Sequence, residues 1–234
     1  MKDHQAHERL IAGVAFDIPG MGYKNLKTHK IEGFEPGVAR AIADILLGAD
    51  GTLDFTQVTN EERIPAVLLG RADMVLSQLT ITPDRLEQVD FSVPYYVTRE
   101  GILVRKDSPI RSLDDLRGKR IAVTESSISI RRMREAFPGA PLAVTKLNAG
   151  TLNAVEEGNA DAASNDLVNL KLMRKHAAHP DQLEVIDIGG HFPDKLYGVA
   201  VKKGRPDFLA ALNAAIERLK SDGEIDRLLR TNIG

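Results

Sequence analysis

Residues 77–96 read SQLTITPDRLEQVDFSVPYY. The apolar run Met74-Val75-Leu76 just before them predicts a buried strand, so Ser77, Gln78 and Thr80 fall at its carboxyl end, where open α/β sheets place their ligands. Thr82 can cap the next helix and Pro83 suits its first position, which sets Arg85 in the first turn. A cation at the positive end of a helix dipole is unfavourable unless an anion accompanies it. The arrangement therefore points to a carboxylate or phosphate docked against backbone N–H groups and a guanidinium fork. The competing reading is a solvated arginine on a surface helix, and the local spacing leaves both open. Asp90-Phe91-Ser92 then reads as a strand leading to Pro94, with Tyr95 and Tyr96 expected to pack where the chain crosses between domains.

Outward from this block, strands and helices alternate. Residues 10–16 predict a strand, followed by a Gly/Pro-rich loop over 19–33 that is long enough to be functional. Residues 36–47 carry Val38, Ala41, Ile42, Ile45 and Leu46 at helical spacing, between Pro36 and a stop at Gly48. After a strand over 53–58, Thr59 and Glu62 form a capping box, the threonine bonding forward and the glutamate back, for a helix ending near Leu69. This is half of a doubly wound sheet. The pattern then restarts with a strand at 102–105, a short helix capped within 112–115, and a buried strand at 120–124. Residues 125–129 lead into another helix, a second candidate anion site. Thr151 is expected to cap a helix reaching Glu157, and a strand over 161–163 runs out into Asn165-Asp166. Further strands are expected at 183–188 and 197–201. An amphipathic helix over 206–221 has Phe208, Leu212, Ala215, Ile216 and Leu219 on one face.

Composition narrows the functional classes. With 234 residues, 43% of them hydrophobic, the chain can build one large or two modest domains. Its apolar runs fall short of the roughly 20 residues a membrane helix needs. Basic and acidic residues number 31 and 33, for a net charge of −2, and no basic stripe is interleaved with aromatics, so nucleic acid is not an expected partner. The absence of cysteine excludes disulfides, thiolate catalysis and zinc–thiolate sites. The opening MKDHQAHERL is polar and carries no export signal, so the expectation is either a cytoplasmic protein or a chain whose export segment has been removed. His176 and His179 have the spacing of a metal pair but no third ligand; they read as solvated, as do His4 and His7, and no metal or cofactor is expected.

Five blocks in order, FDIPGMGYKN, IEGFEPGVARAIADILLG, LTITPDRLEQVDFSVPYY, AASND and YGVAVKKG, resemble the extracellular amino-acid-binding proteins of ABC importers, the polar-amino-acid family, over nearly the whole chain. The first two look like its glutamate-binding branch. The resemblance implies an α/β fold of the two-lobe, periplasmic-binding-protein-like type II, each lobe a mostly parallel sheet flanked by helices, with the ligand cleft between them. Lobe 1 would comprise residues 1–97 and 194–234 and lobe 2 residues 98–193, hinged at crossings near 97–99 and 190–193. Also implied are a free amino acid as ligand, glutamine, glutamate or similar, and ABC permease subunits as partners. A monomer without enzymatic activity is implied too, located outside the cytoplasm in the periplasm or as a cell-surface lipoprotein.

By the same resemblance, Arg85 pairs with the ligand α-carboxylate, helped by the Ser127 hydroxyl and the Ile128 backbone N–H. Asp166, the Thr80 hydroxyl and the Gln78 carbonyl take the α-ammonium, while Asn60, Ala15 and Phe16 lie towards the ligand side chain. On their residues alone, Asp166 and Ser127 read equally well as helix caps, and Phe16 and Ile18 as core. Two departures matter. Ala15 stands where the glutamate branch has a lysine, which favours a neutral polar ligand such as glutamine unless Lys24, Lys27 or Arg63 supplies the charge. Ser126 stands where relatives have glycine, a strained position if the backbone there has a positive φ. Two other functions use the same scaffold: a cyclohexadienyl-dehydratase-like enzyme, for which Glu125 is the candidate acid or base, and an extracellular amino-acid sensor domain.

Overall fold

The apolar run LIAGV forms the centre of strand β1 (Arg9–Val14), buried along most of its length as a parallel strand covered on both faces must be. The structure, a computed structural model, describes residues 9–48 and 50–234, so His4 and His7 lie outside the described residues. The loop expected over 19–33 contains a three-stranded meander, β2 (Asp17–Ile18), β3 (Gly22–Lys24) and β4 (Ile31–Glu32). It is folded down by Gly33, whose φ of 125° and approach to the Met21 carbonyl exclude a side chain. Helix α1 (Phe34–Leu47) follows, two residues longer at its start than expected because Pro36 fits within a first turn. Then come β5 (Thr52–Gln57), α2 (Arg63–Leu68), β6 (Met74–Leu76), α3 (Pro83–Leu86), β7 (Asp90–Phe91) and β8 (Tyr96–Thr98). Thr82 caps α3 as expected, its hydroxyl accepting from the Arg85 N–H at 3.4 Å. The capping box at α2 is altered. Glu62 does bond back to the Thr59 N–H, but the Thr59 hydroxyl donates to that same carboxylate, both at 3.0 Å.

A second α/β unit holds β9 (Glu100–Arg105), β10 (Ile121–Thr124), α4 (Ile128–Ala136), β11 (Leu142–Thr145), α5 (Asn148–Glu156), β12 (Ala162–Asp166), α6 (Leu167–Lys175) and β13 (Leu183–Asp187). Its sheet order is β11-β10-β12-β9-β13, with β10 parallel to β11 and β12 and with β9 antiparallel to its neighbours. The helix start expected at Thr151 is corrected: α5 begins at Asn148, and the Thr151 hydroxyl donates inside the helix to the Asn148 carbonyl at 2.7 Å.

The strand expected over 197–201 is in fact two. Strand β14 (Lys195–Tyr197) pairs antiparallel with β8 in a two-stranded ribbon, and after Gly198 the chain enters β15 (Ala200–Val201) of the first sheet, whose order is β5-β1-β6-β15-β7. Gly198 is the switch because a Cβ there would meet Ile81 at 2.9 Å and Phe91 at 3.0 Å. Helices α7 (Pro206–Ser221) and α8 (Glu224–Asn232) then pack on α1, with Leu212, Ala215, Ile216 and Leu219 buried. Where the ribbon meets α1, Phe34, Tyr95, Tyr96 and Tyr197 form an aromatic cluster with ring centroids 5.6–6.2 Å apart, so Tyr95 and Tyr96 do pack at the crossing.

One buried carboxyl fixes the loop that follows β6. Glu35, in the first turn of α1, accepts from the Gln78 N–H at 2.7 Å, from the Tyr95 hydroxyl at 2.6 Å and from the Gln78 side-chain amide. These bonds hold Gln78 at φ 45°, a conformation a non-glycine residue rarely adopts. Burial pushes the Glu35 pKa from the ordinary 4.5 up to about 7. Because the folded-state value lies above the unfolded one, the unfolded chain releases this proton first as pH rises. Stability contributed at acidic pH is therefore lost between about 4.5 and about 7, at up to roughly 1.4 kcal/mol per pH unit. Chemical denaturation of Glu35→Gln across that window should show a flatter pH profile than wild type; parallel profiles would mean that Glu35 does not titrate there.

Candidate functional site

The carboxyl ends of the two sheets face each other, and the side chains there enclose a cavity of about 20 Å³, room for about one water molecule. From the first unit come Asn60, Arg63, Gln78, Thr80 and Arg85; from the second come Ser127, Ile128, Asn148, Asn165, Asp166 and Asn169. A wider hollow over Arg105, His179 and Asp181 is open to solvent and belongs to the second unit alone, so it lacks this two-sided enclosure.

Two guanidinium groups form one wall. Arg85 donates to the Thr80 carbonyl at 2.7 Å and to the Ser126 carbonyl at 3.1 Å, which leaves three of its five N–H groups without a partner among the described residues. Arg63 donates to the carbonyls of Asn60 (2.9 Å), Ser77 (3.0 Å), Gln78 (3.2 Å) and Ser126 (3.1 Å), leaving one N–H. Burial lowers their pKa values to about 10 and about 9, so both are cations at neutral pH. Ser126 has φ 53°, the strained conformation anticipated where relatives carry glycine, and its turned carbonyl accepts from both arginines.

The opposite wall carries the anion. Asp166 stands at the N-cap position of α6 but makes no capping bond. Its two carboxylate oxygens are held instead by the Lys195 ammonium and the Tyr197 hydroxyl, both fully buried on β14. Lys195 also pairs with Glu100 at 2.8 Å, and Glu100 accepts from Arg132 (3.1 Å), Ser129 (2.6 Å) and Ser164 (2.9 Å). Ser127 likewise occupies an N-cap position without capping α4. Its Oγ, the Gln78 Oε1 and the Asn169 Oδ1 are buried without a partner among the described residues. Buried polar atoms are nearly always satisfied, so these three gather unused hydrogen-bonding capacity on one cavity. Beside them Asn165 donates to the Asn148 Oδ1 at 2.9 Å, which also accepts from Thr124 at 3.1 Å.

Contacts also cross the cleft away from the cavity. Asp17 on β2 accepts from the N–H groups of Asn148 (2.7 Å) and Ala149 (3.4 Å), capping α5 from the other side of the cleft, and burial raises its pKa. The exposed Arg131–Asp84 pair at 3.1 Å contributes little.

The structure thus brings together Asn60, Gln78, Thr80, Arg85, Ser127, Ile128 and Asp166. Ala15 and Phe16 are not on the cavity wall: Ala15 is buried beside Gly22, and the Phe16 carbonyl accepts from Lys24 within the meander at 3.0 Å. Ile18 is core, and Lys24, Lys27 and Glu125 do not line the cavity either. Of the substitute cations weighed against the missing lysine at Ala15, Arg63 is the one that reaches in. Its spacing from Ala66 and Val67 places it on the buried face of α2, a helical-period signal available in the sequence. Asn165 and Asn169, four apart at a strand-to-helix junction, had a comparable signal, as did Lys195 and Tyr197, which alternate onto one face of a strand. Asn148, Asp17, Glu35 and Glu100 had none.

Known proteins are similar to this chain in sequence and in fold. The sequence profile described as bacterial extracellular solute-binding proteins, family 3, matches residues 10–234. The chain is 32% identical over 226 residues to the ABC transporter glutamine-binding protein GlnH of Bacillus subtilis (strain 168), covering 96% of this chain and 81% of that protein. Among solved structures it is similar to an ancestral arginine-binding protein bound to glutamine, with a TM-score of 0.88 at 28% identity over 97% of this chain and 98% of that one. It is also similar to an ancestral amino acid-binding protein that is a precursor of cyclohexadienyl dehydratase, with a TM-score of 0.86 at 30% identity, covering 97% and 96% of the two chains. The fold is the two-lobe type II arrangement, and with the profile running from β1 to the last residue, the chain belongs to the bacterial extracellular solute-binding proteins, family 3.

Proposed function

We propose that this protein captures a free polar amino acid between its lobes, outside the cytoplasm, and delivers it to an ABC permease as a monomer. The observation that carries the reading is the cavity itself. A guanidinium with unused donors, an unpartnered serine hydroxyl and a carboxylate converge there from opposite sides of one cleft, a set matched to the two charges of a zwitterion. Arg85, Ser127 and the Ile128 N–H take the α-carboxylate; Asp166, Thr80 and the Gln78 carbonyl take the α-ammonium; Asn60 lies towards the side chain. Lobe 1 consists of residues 1–97 and 194–234, lobe 2 of 98–193, and they turn about the β8–β14 ribbon.

Pockets for small molecules usually exceed roughly 300 Å³. The ligand therefore enters with the lobes apart, and the unused N–H groups of Arg85 take its carboxylate as they close. Contacts made only in the closed form shift the population towards it. Glu125, the acid a dehydratase would use, is off the cavity wall. The wall carboxylate, Asp166, is tied to Lys195 and Tyr197, so neither is free to move a proton on a ligand.

Native mass spectrometry of the purified protein and a thermal-shift screen of the amino acids test the reading directly: at least one amino acid should raise the melting temperature. Turnover of prephenate or arogenate with no amino acid bound would replace it with the enzyme. In calorimetry, Arg85→Ala should weaken binding by about 30-fold to several thousand-fold, equivalent to about 2 to 5 kcal/mol, and Arg85→Lys should recover only part of it, since an ammonium cannot reproduce the fork. Unchanged affinity in Arg85→Ala would remove the carboxylate anchor. Small-angle scattering should show less compaction by the bound amino acid in Asp166→Asn than in wild type; full compaction would reduce Asp166 to a structural role.

A further inference from the structure

We propose that the cleft selects an acidic amino acid, one carrying a second carboxylate, and that the buried Lys195 sets this preference; the inference rests on the amino-acid reading above. The argument is a pairing of charges. Arg132 is satisfied by Glu100, and Lys195 by Glu100 and Asp166 together. Asp166, the carboxylate facing the ligand ammonium, is thus already compensated from behind by an internal ammonium. On the other wall Arg63 and Arg85 donate to carbonyl oxygens, and among the described residues no carboxylate is bonded to either. The nearby acids act on the two arginines through space and not through a bond: Glu35 on Arg63, and Asp84, itself paired with Arg131, on Arg85. Glu35 is turned to Tyr95 and Gln78, and Asp17 to the N-terminus of α5.

A cleft with two unpaired guanidinium groups and a compensated aspartate carries an excess of positive charge. A zwitterion with a neutral side chain brings one carboxylate for two arginines. A second carboxylate supplies the missing partner, and a cationic side chain would leave every charge worse matched, which is costly in a buried site. The position also fits. The Arg63 Nε donates to the Asn60 carbonyl, which puts this guanidinium beside the residue assigned to the ligand side chain, while Arg85 takes the α-carboxylate. Arg63 thereby supplies the charge that Ala15 lacks. Lys195 is not on the cavity wall, so it acts through Asp166 as a positioning and charge-compensating residue.

Calorimetric titration with L-glutamate, L-aspartate, L-glutamine and L-arginine tests this. In wild type, an acidic amino acid should bind at least tenfold tighter than glutamine, and arginine should bind weakest. Lys195→Gln, in which Asp166 regains its uncompensated charge, should lower the glutamate-to-glutamine preference at least tenfold. Arg63→Gln should lower it without abolishing glutamine binding, and serves if Lys195→Gln does not fold. A merely structural lysine would weaken both ligands together and leave their ratio unchanged. An unchanged ratio in a folded Lys195→Gln, an unchanged ratio in Arg63→Gln, or a wild-type protein preferring glutamine or arginine overturns the inference while leaving the amino-acid reading intact. Absence of binding by any amino acid overturns both.

Discussion

Two guanidinium groups, Arg63 and Arg85, share the backbone carbonyl of Ser126 across the cleft. Buried cations must be satisfied, and here one lobe provides the cations and the other lobe the acceptor. The carbonyl can face both arginines only because Ser126 adopts a left-handed backbone, and on the facing loop Gln78 is held in a similar conformation by Glu35. The two loops that meet at the cavity therefore each carry one strained residue. Of the three non-glycine residues with positive φ among the described residues, two, Gln78 and Ser126, stand at the cavity and the third, His29, in the meander.

The network behind Asp166 follows from the same constraint. A lone buried carboxylate would lose several kcal/mol of solvation, so Asp166 is reached by Lys195 and Tyr197; Lys195 is paired in turn with Glu100, which also accepts from Arg132. Removing one member leaves a charge unpaired, which makes these residues interdependent although they come from separate strands and a helix. Its cost is offset by the hydroxyls of Ser129 and Ser164, which complete the hydrogen bonding of Glu100.

Much of this was legible in the sequence where cause and effect are local. Thr82, Pro83 and Arg85 specify a capped helix within four residues, the 206–221 stripe specifies α7, and the serine at 126 in a glycine position announced its own strain. What escaped is non-local. Asp17 and Asn148 are separated by 131 positions, Glu35 and Gln78 by 43, and no period or cap connects such pairs. The start of α5 was misplaced for that reason, since its N-terminal donors are met by Asp17 and not by a neighbour. Helix α8 and the meander at 17–32 went unassigned because short amphipathic and two- or three-residue elements carry weak patterns.

Lys195 and Tyr197 belong to the β8–β14 ribbon, so the backbone of that ribbon also grips Asp166 from behind the cleft. How tightly Asp166 is held and how far the ribbon bends are then a single variable. The outer face of the same ribbon is exposed at Val97 and Leu196, so one two-stranded element has solvent on one side and the charge network on the other. The floor of the cleft and the crossing strand are thus one hydrogen-bonded piece.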